Sequence, residues 1–95
     1  MSTGDPFQKF RELLEHNHQF PTEYHHKFIG KNSPMFLESV AEFEKKHIGL
    51  KLVSRKESAK GAHISLSFDY HAANVEEVVE LLKETQKIND LIFII

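Results

Sequence analysis

Apolar residues recur along this chain with two different periods, and each change of period marks an element. Phe7, Phe10, Leu13 and Leu14 repeat at helical spacing behind Asp5-Pro6, a capping residue followed by the imino acid favoured in a first turn. They predict a short amphipathic helix over residues 5–16. Phe20-Pro21 breaks it, because the residue before proline is pushed to extended geometry. Over residues 23–29 the period falls to two, with Tyr24, His26 and Phe28 on one face and His25, Lys27 and Ile29 on the other. That is a strand, ended by Gly30. Ser33-Pro34 repeats the capping signal, and Phe36, Val40, Phe43 and His47, flanked by Leu37, Ala41 and Ile48, form the stripe of a second helix. Lys45, Lys46 and Gly49 mark its end. Residues 50–57 and 63–71 alternate again as two strands joined by a hairpin at 58–61. Asn74, with Glu77 three positions on, opens a third helix whose stripe is Val75, Val78, Val79, Leu81 and Leu82, ending near Lys87. Residues 88–95 finish as a strand that is apolar on both faces over its last five positions.

The order of elements is an extra N-terminal helix followed by βαββαβ. Right-handed crossovers with short connections arrange this as an antiparallel sheet in the order 4-1-3-2 with two helices on one face, the α+β sandwich called ferredoxin-like. The chain divides at residue 19: 1–19 as N-terminal helix and linker, 20–95 as the ferredoxin-like domain. This arrangement leaves an apolar surplus. Ile29 and Val53 fall on the outer sheet face, Ile92 and Ile94 on the outward side of the last strand, and Phe7, Phe10 and Leu14 on the first helix. These five residues of the last strand and first helix are the expected interface. Either the first helix lies over the outer face or the last strand's edge, or a second copy covers them in a homodimer.

Composition narrows the setting. The 95 residues fit one domain, and 40% hydrophobic with 27% charged residues is a globular composition. Without cysteine there is no disulfide, thiol nucleophile or thiolate metal site, which suits a reducing compartment. The first six residues carry no basic-then-apolar signal, and the longest apolar run, residues 91–95, is far short of a membrane span. A cytoplasmic protein with no membrane partner is expected. A net charge of −2 offers no general attraction for nucleic acid, which is not an expected partner either.

Five short segments, taken together, carry a family resemblance: Glu12-Leu13-Leu14-Glu15, Phe20-Pro21-Thr22-Glu23-Tyr24, Lys27-Phe28-Ile29-Gly30, Ser58-Ala59-Lys60-Gly61 and Ser65-Leu66-Ser67-Phe68. Over residues 7–95 the chain resembles the YbeD-like family of small bacterial proteins. It departs from that family in an extended segment at 17–19, in His63, where members often carry an aromatic residue, and in its many histidines. The resemblance implies a ferredoxin-like fold similar to ACT regulatory domains and a non-catalytic role, with regulation by a small ligand. It supplies no catalytic residue.

Several chemistries of this fold class are excluded by residue type. The loop at 30–34 has no arginine to cradle phosphate, paired cysteines for copper are absent, and the outer positions His25, Lys27, His63, Ser65, Ser67 and Asp69 are not the stacking aromatics of an RNA-binding sheet. Two candidate sites remain. Gly30, Lys31, Asn32 and Ser33 lead into a helix N-terminus, where free amides and a lysine favour a small anionic ligand; the plainer reading is a tight turn at Gly30 and a helix cap at Ser33. His25, Asp69 and His71 share the outer face and form an alternative divalent-metal set of two imidazoles and a carboxylate, against a reading as solvated surface. His26 instead points into the core, as a packed, hydrogen-bonded histidine. With no catalytic residue and no cofactor assigned, the expected function is a non-enzymatic regulatory or interaction module. It would bind a partner protein or a small anionic ligand, with histidine-based metal binding as the alternative.

Overall fold

The computed structural model describes residues 4–95, so residues 1–3 of the segment expected at 1–19 lie outside the described residues. Its elements are α1 (Gln8–Asn17), β1 (Thr22–Lys31), α2 (Pro34–Lys46), β2 (Leu50–Glu57), β3 (His63–Ala72), α3 (Val75–Thr85) and β4 (Leu91–Ile94). The four strands form one antiparallel sheet in the order β2-β3-β1-β4, the expected order read from the other edge. Side-chain caps set where the two long helices begin. Ser33 Oγ accepts from Phe36 N–H at 3.1 Å, and Asn74 Oδ1 accepts from Glu77 N–H at 3.1 Å.

Alternation along the central strands decides which face the helices cover. Phe28 of β1 and Ile64, Leu66 and Phe68 of β3 point to the same side, where Phe36, Val40 and Phe43 of α2 and Leu81 of α3 close over them. The Phe28 ring stacks on Phe68 at 5.6 Å between centroids and meets Phe43 edge-on at 6.0 Å. Ile88 joins this core from the connection before β4, which is why that strand begins at Leu91 rather than at 88. The α2 stripe stops at His47, since Ile48 lies beyond the helix and is 94% exposed.

The N-terminal helix departs from expectation in both start and position. Asp5 accepts from Phe7 N–H at 2.9 Å, making a turn ahead of the helix instead of capping it, and α1 starts at Gln8. The helix lies neither over the outer sheet face nor along β4. Leu14 packs with Ala72, Val78 and Val79, and Phe7 and Phe10 lie against this second cluster. Arg11 bridges Asp5 and Glu76, with 2.6 Å to the Glu76 carboxylate, and the Lys83 ammonium stands 5.5 Å from the Phe7 ring centre. The physical reason is the apolar side of α3 at Val75, Val78 and Val79, which offers α1 a partner without desolvating the lysines of the outer sheet face.

Two further local features differ from the periodic pattern. β1 runs through Gly30 to Lys31, so Gly30 is not a turn residue; a Cβ there would stand 2.1 Å from the Phe36 ring. In β2 the register with β3 shifts between Leu52 and Ser54. Val53 is the extra residue of a bulge, after which Arg55 rather than Ser54 opposes core-facing Leu66.

Candidate functional site

Apart from the exposed Lys31 ammonium, the polar groups of residues 31–33 find partners within the chain. Lys31 N–H donates to Asp90 O and Asn32 N–H to Ala62 O, both at 3.0 Å, and the Asn32 side-chain amide donates to Gly61 O at 3.0 Å. Ser33 Oγ, while accepting from Phe36, donates to the Asp90 carboxylate at 2.7 Å. A carboxylate of the chain itself thus stands at the N-terminus of α2, where a ligand anion was expected. Asp90 is held there in the left-handed region, at φ 62°. The segment ties the hairpin, the start of α2 and the start of β4 together. Ser33→Ala, which removes both bonds, is expected to lower the unfolding free energy by about 1 kcal/mol in urea titrations. No measurable change would mean that the tie contributes nothing to stability.

The register of β1 with β3 sorts the histidines of the outer face into pairs. His25 faces Asp69, with Nδ1 2.5 Å from the carboxylate, and His71 faces Glu23 at 2.7 Å. His25, Asp69 and His71 are therefore divided between two separate pairs. Among the described residues no group of three or more histidine or carboxylate side chains is gathered closely enough to hold a metal ion.

His26, on the opposite face of β1, is buried. Thr85 Oγ1 donates to Leu81 O at 2.7 Å and so accepts from His26 Nε2–H at 2.9 Å, which fixes the tautomer and leaves Nδ1 without a partner. Burial, with a smaller contribution from His47, pushes the imidazole pKa down to about 4. The ring is neutral and structural, as a core-facing histidine requires.

The outer sheet face is uncovered. Ile29 of β1 opposes Phe93 of β4, which is 51% exposed; Ile95 is 63% and Val53 60% exposed. His25, Lys27, Val53, Ser67, Asp69 and Ile95 line an open trough of about 370 Å³. Next to it, toward the hairpin, a hollow of about 310 Å³ is lined by Ile29, Lys56, His63 and Ser65 among others. Of the expected interface residues, Ile92 is exposed, Ile94 turns inward opposite Phe28, and Phe7, Phe10 and Leu14 lie against the α3 cluster. Phe93 and Ile95 take the outward positions instead. A doubly apolar strand has no period from which that choice could be read; only its pairing with Phe28 and Ile29 makes it. On the helical side, Phe43 and Ile88 floor a groove of about 420 Å³ between α2 and α3. Among the described residues no helix is long and apolar enough to cross a membrane.

Comparison with known proteins places this geometry. A family described as "Protein of unknown function (DUF493)" matches residues 15–95. The UPF0250 protein YbeD of Escherichia coli O1:K1 is 34% identical over 82 residues, covering 85% of this chain and 90% of the relative. The protein of the same description from Shigella boydii serotype 18 matches with the same identity and coverage. Among solved structures, the ACT domain from GTP pyrophosphokinase of Chlorobium tepidum superposes with a TM-score of 0.58 at 10% identity, covering 78% of this chain and 97% of that one. The shared feature is the fold: a ferredoxin-like, ACT-like arrangement.

Proposed function

The chain belongs to the DUF493 family, and from that premise we propose that it is a non-enzymatic regulatory module that acts by docking a partner protein on the outer face of its sheet. The observation that carries this reading is the uncovered apolar strip of Val53, Phe93 and Ile95, with half-buried Ile29 beside Phe93. Exposed apolar side chains grouped on one face of a folded domain favour contact with another macromolecule. The N-terminal helix, which could have covered the strip, lies on α3 instead. A small-ligand role at residues 30–33 is the weaker reading, since that segment already holds Asp90 at the α2 N-terminus. Turnover is not expected. The module is proposed to work in the cytoplasm, with α1 serving to cover α3 rather than the docking face.

Photo-crosslinking from the full chain in living cells tests this. A photoreactive residue at position 67, on the outer face, is expected to yield discrete protein adducts that Val53→Asp removes. The same residue at position 80, on exposed α3 surface, is expected to yield none. Equal adducts from both faces, or none from position 67, would reject the outer face as the working surface.

A further inference from the structure

Charge is divided unevenly between the two layers of this fold. The outer sheet face presents Lys27, Lys31, Lys51 and Lys56, all exposed, and none has an ion-pair partner among the described residues. Asp69 and Glu23, the carboxylates on that face, are each engaged by a histidine, and Glu57, at a core-directed position of β2 opposite Ile64, reaches only the rim of the hollow beside the hairpin. The helical layer is the reverse: α2 and α3 carry seven carboxylates against three lysines. A formal net charge of −2 conceals this polarity. The unpaired ammonium groups surround the apolar strip. Lys27 shares one trough with Val53 and Ile95, and Lys56 shares the neighbouring hollow with Ile29.

Building on the docking reading above, we propose that the partner is an acidic protein segment in which apolar side chains alternate with carboxylates. Its apolar side chains seat on Ile29, Val53, Phe93 and Ile95, and its carboxylates meet Lys27, Lys31 and Lys56. Complementary charge at the rim of an apolar contact speeds encounter and selects the partner. The same charges disfavour a second copy of the chain, and the apolar strip disfavours a nucleic-acid strand. A second copy presenting its own sheet face would set lysine against lysine. Its acidic helical face would fit only in a head-to-tail contact, which builds rings or filaments rather than a two-fold dimer. A nucleic-acid strand would leave the aliphatic strip without apolar contact; Phe93 lies at the β4 edge, and of the imidazoles on the central strands His25 and His71 are each held against a carboxylate that would repel phosphate.

The probe is a blocked peptide of four Leu-Glu repeats, titrated into the ¹⁵N-labelled full chain at ~50 mM and ~500 mM salt. Controls are a Leu-Lys repeat, a glutamate-only peptide and oligouridine. The Leu-Glu peptide is expected to shift the amides of Lys27, Ser65 and Ser67 and to bind at least about tenfold tighter than any control, with several-fold weakening at the higher salt. Lys27→Glu/Lys56→Glu, both exposed and therefore compatible with the fold, is expected to weaken it about tenfold while leaving the thermal midpoint within a few degrees. Equal binding of the Leu-Lys repeat, preference for oligouridine, shifts confined to the α2–α3 groove, self-association of the protein alone, or affinity unchanged in the double variant would each overturn the proposal. Adducts from position 67 in cells combined with no selectivity for the acidic peptide would leave the docking face standing and remove only the acidic partner.

Discussion

Replacing Gly30 by alanine is expected to lower the unfolding free energy by about 3 kcal/mol, at the upper end of what one added methyl group costs in a packed core. The added Cβ would stand 2.1 Å from Cε1 of the Phe36 ring and 2.4 Å from Cδ1. The ring has nowhere to retreat, because Phe36 is fully buried and meets Phe28 edge-on at 6.2 Å. For a domain of this size the thermal midpoint should fall by roughly 15 °C. Phe36→Leu provides the control, since a smaller side chain opens room for the methyl group. In the double variant the two costs should fall short of additivity by about 1 kcal/mol or more. Strict additivity, or a cost for Gly30→Ala below about 0.5 kcal/mol, would mean that the ring is not what demands glycine here.

Acidification from neutral pH to pH 4 is expected to remove about 3 kcal/mol through His26 alone. In the folded chain its pKa is about 4, against an ordinary value of 6.5. The unfolded chain therefore takes up a proton as pH falls through 6.5, while the folded chain resists until about 4. The contribution is complete above 6.5, is lost between 6.5 and 4, and is flat below. A gap of about 2.5 pH units corresponds to about 3 kcal/mol. His26→Phe isolates it. Thr85 keeps its bond to Leu81 O, so the variant strands no hydroxyl donor, and carboxylates common to both proteins cancel in the comparison. Urea titrations at intervals from pH 7 to pH 4 should show the wild-type advantage over the variant shrinking by about 3 kcal/mol. Parallel stability curves would show that His26 does not bind its proton as described.

The loop at 30–33 and the histidines illustrate how far residue type carries a site assignment. Ser33 caps α2, as Ser-Pro before an apolar stripe indicates. Its second bond, to Asp90, links residues 57 apart in the chain, and no local pattern announces it. Alternation put His25, Asp69 and His71 on one face, yet it could not say whether they converge. The one-to-one pairing of β1 with β3 sets His71 against Glu23 and leaves the three divided between two pairs. The proposed docking face was legible only in outline: Ile29 and Val53 stood out as unpartnered, whereas Phe93 and Ile95 did not.

What this sequence determines by itself is local. The two periods, the Ser33 and Asn74 caps and the hairpin at 58–61 specify three helices and four strands, and the short connections leave one reasonable order for the sheet. These follow from interactions within a few residues, so they are written where they act. Tertiary structure decided what each surplus apolar face would meet. It set α1 on α3 through Leu14, turned Ile94 inward and Phe93 outward, placed the Phe36 ring over Gly30, and shifted the β2 register at Val53. Periodicity states that a face is apolar but does not name its partner. The partner is chosen by competition among all such faces at once, and the outer sheet, ringed by unpaired lysines, is the one that competition left uncovered.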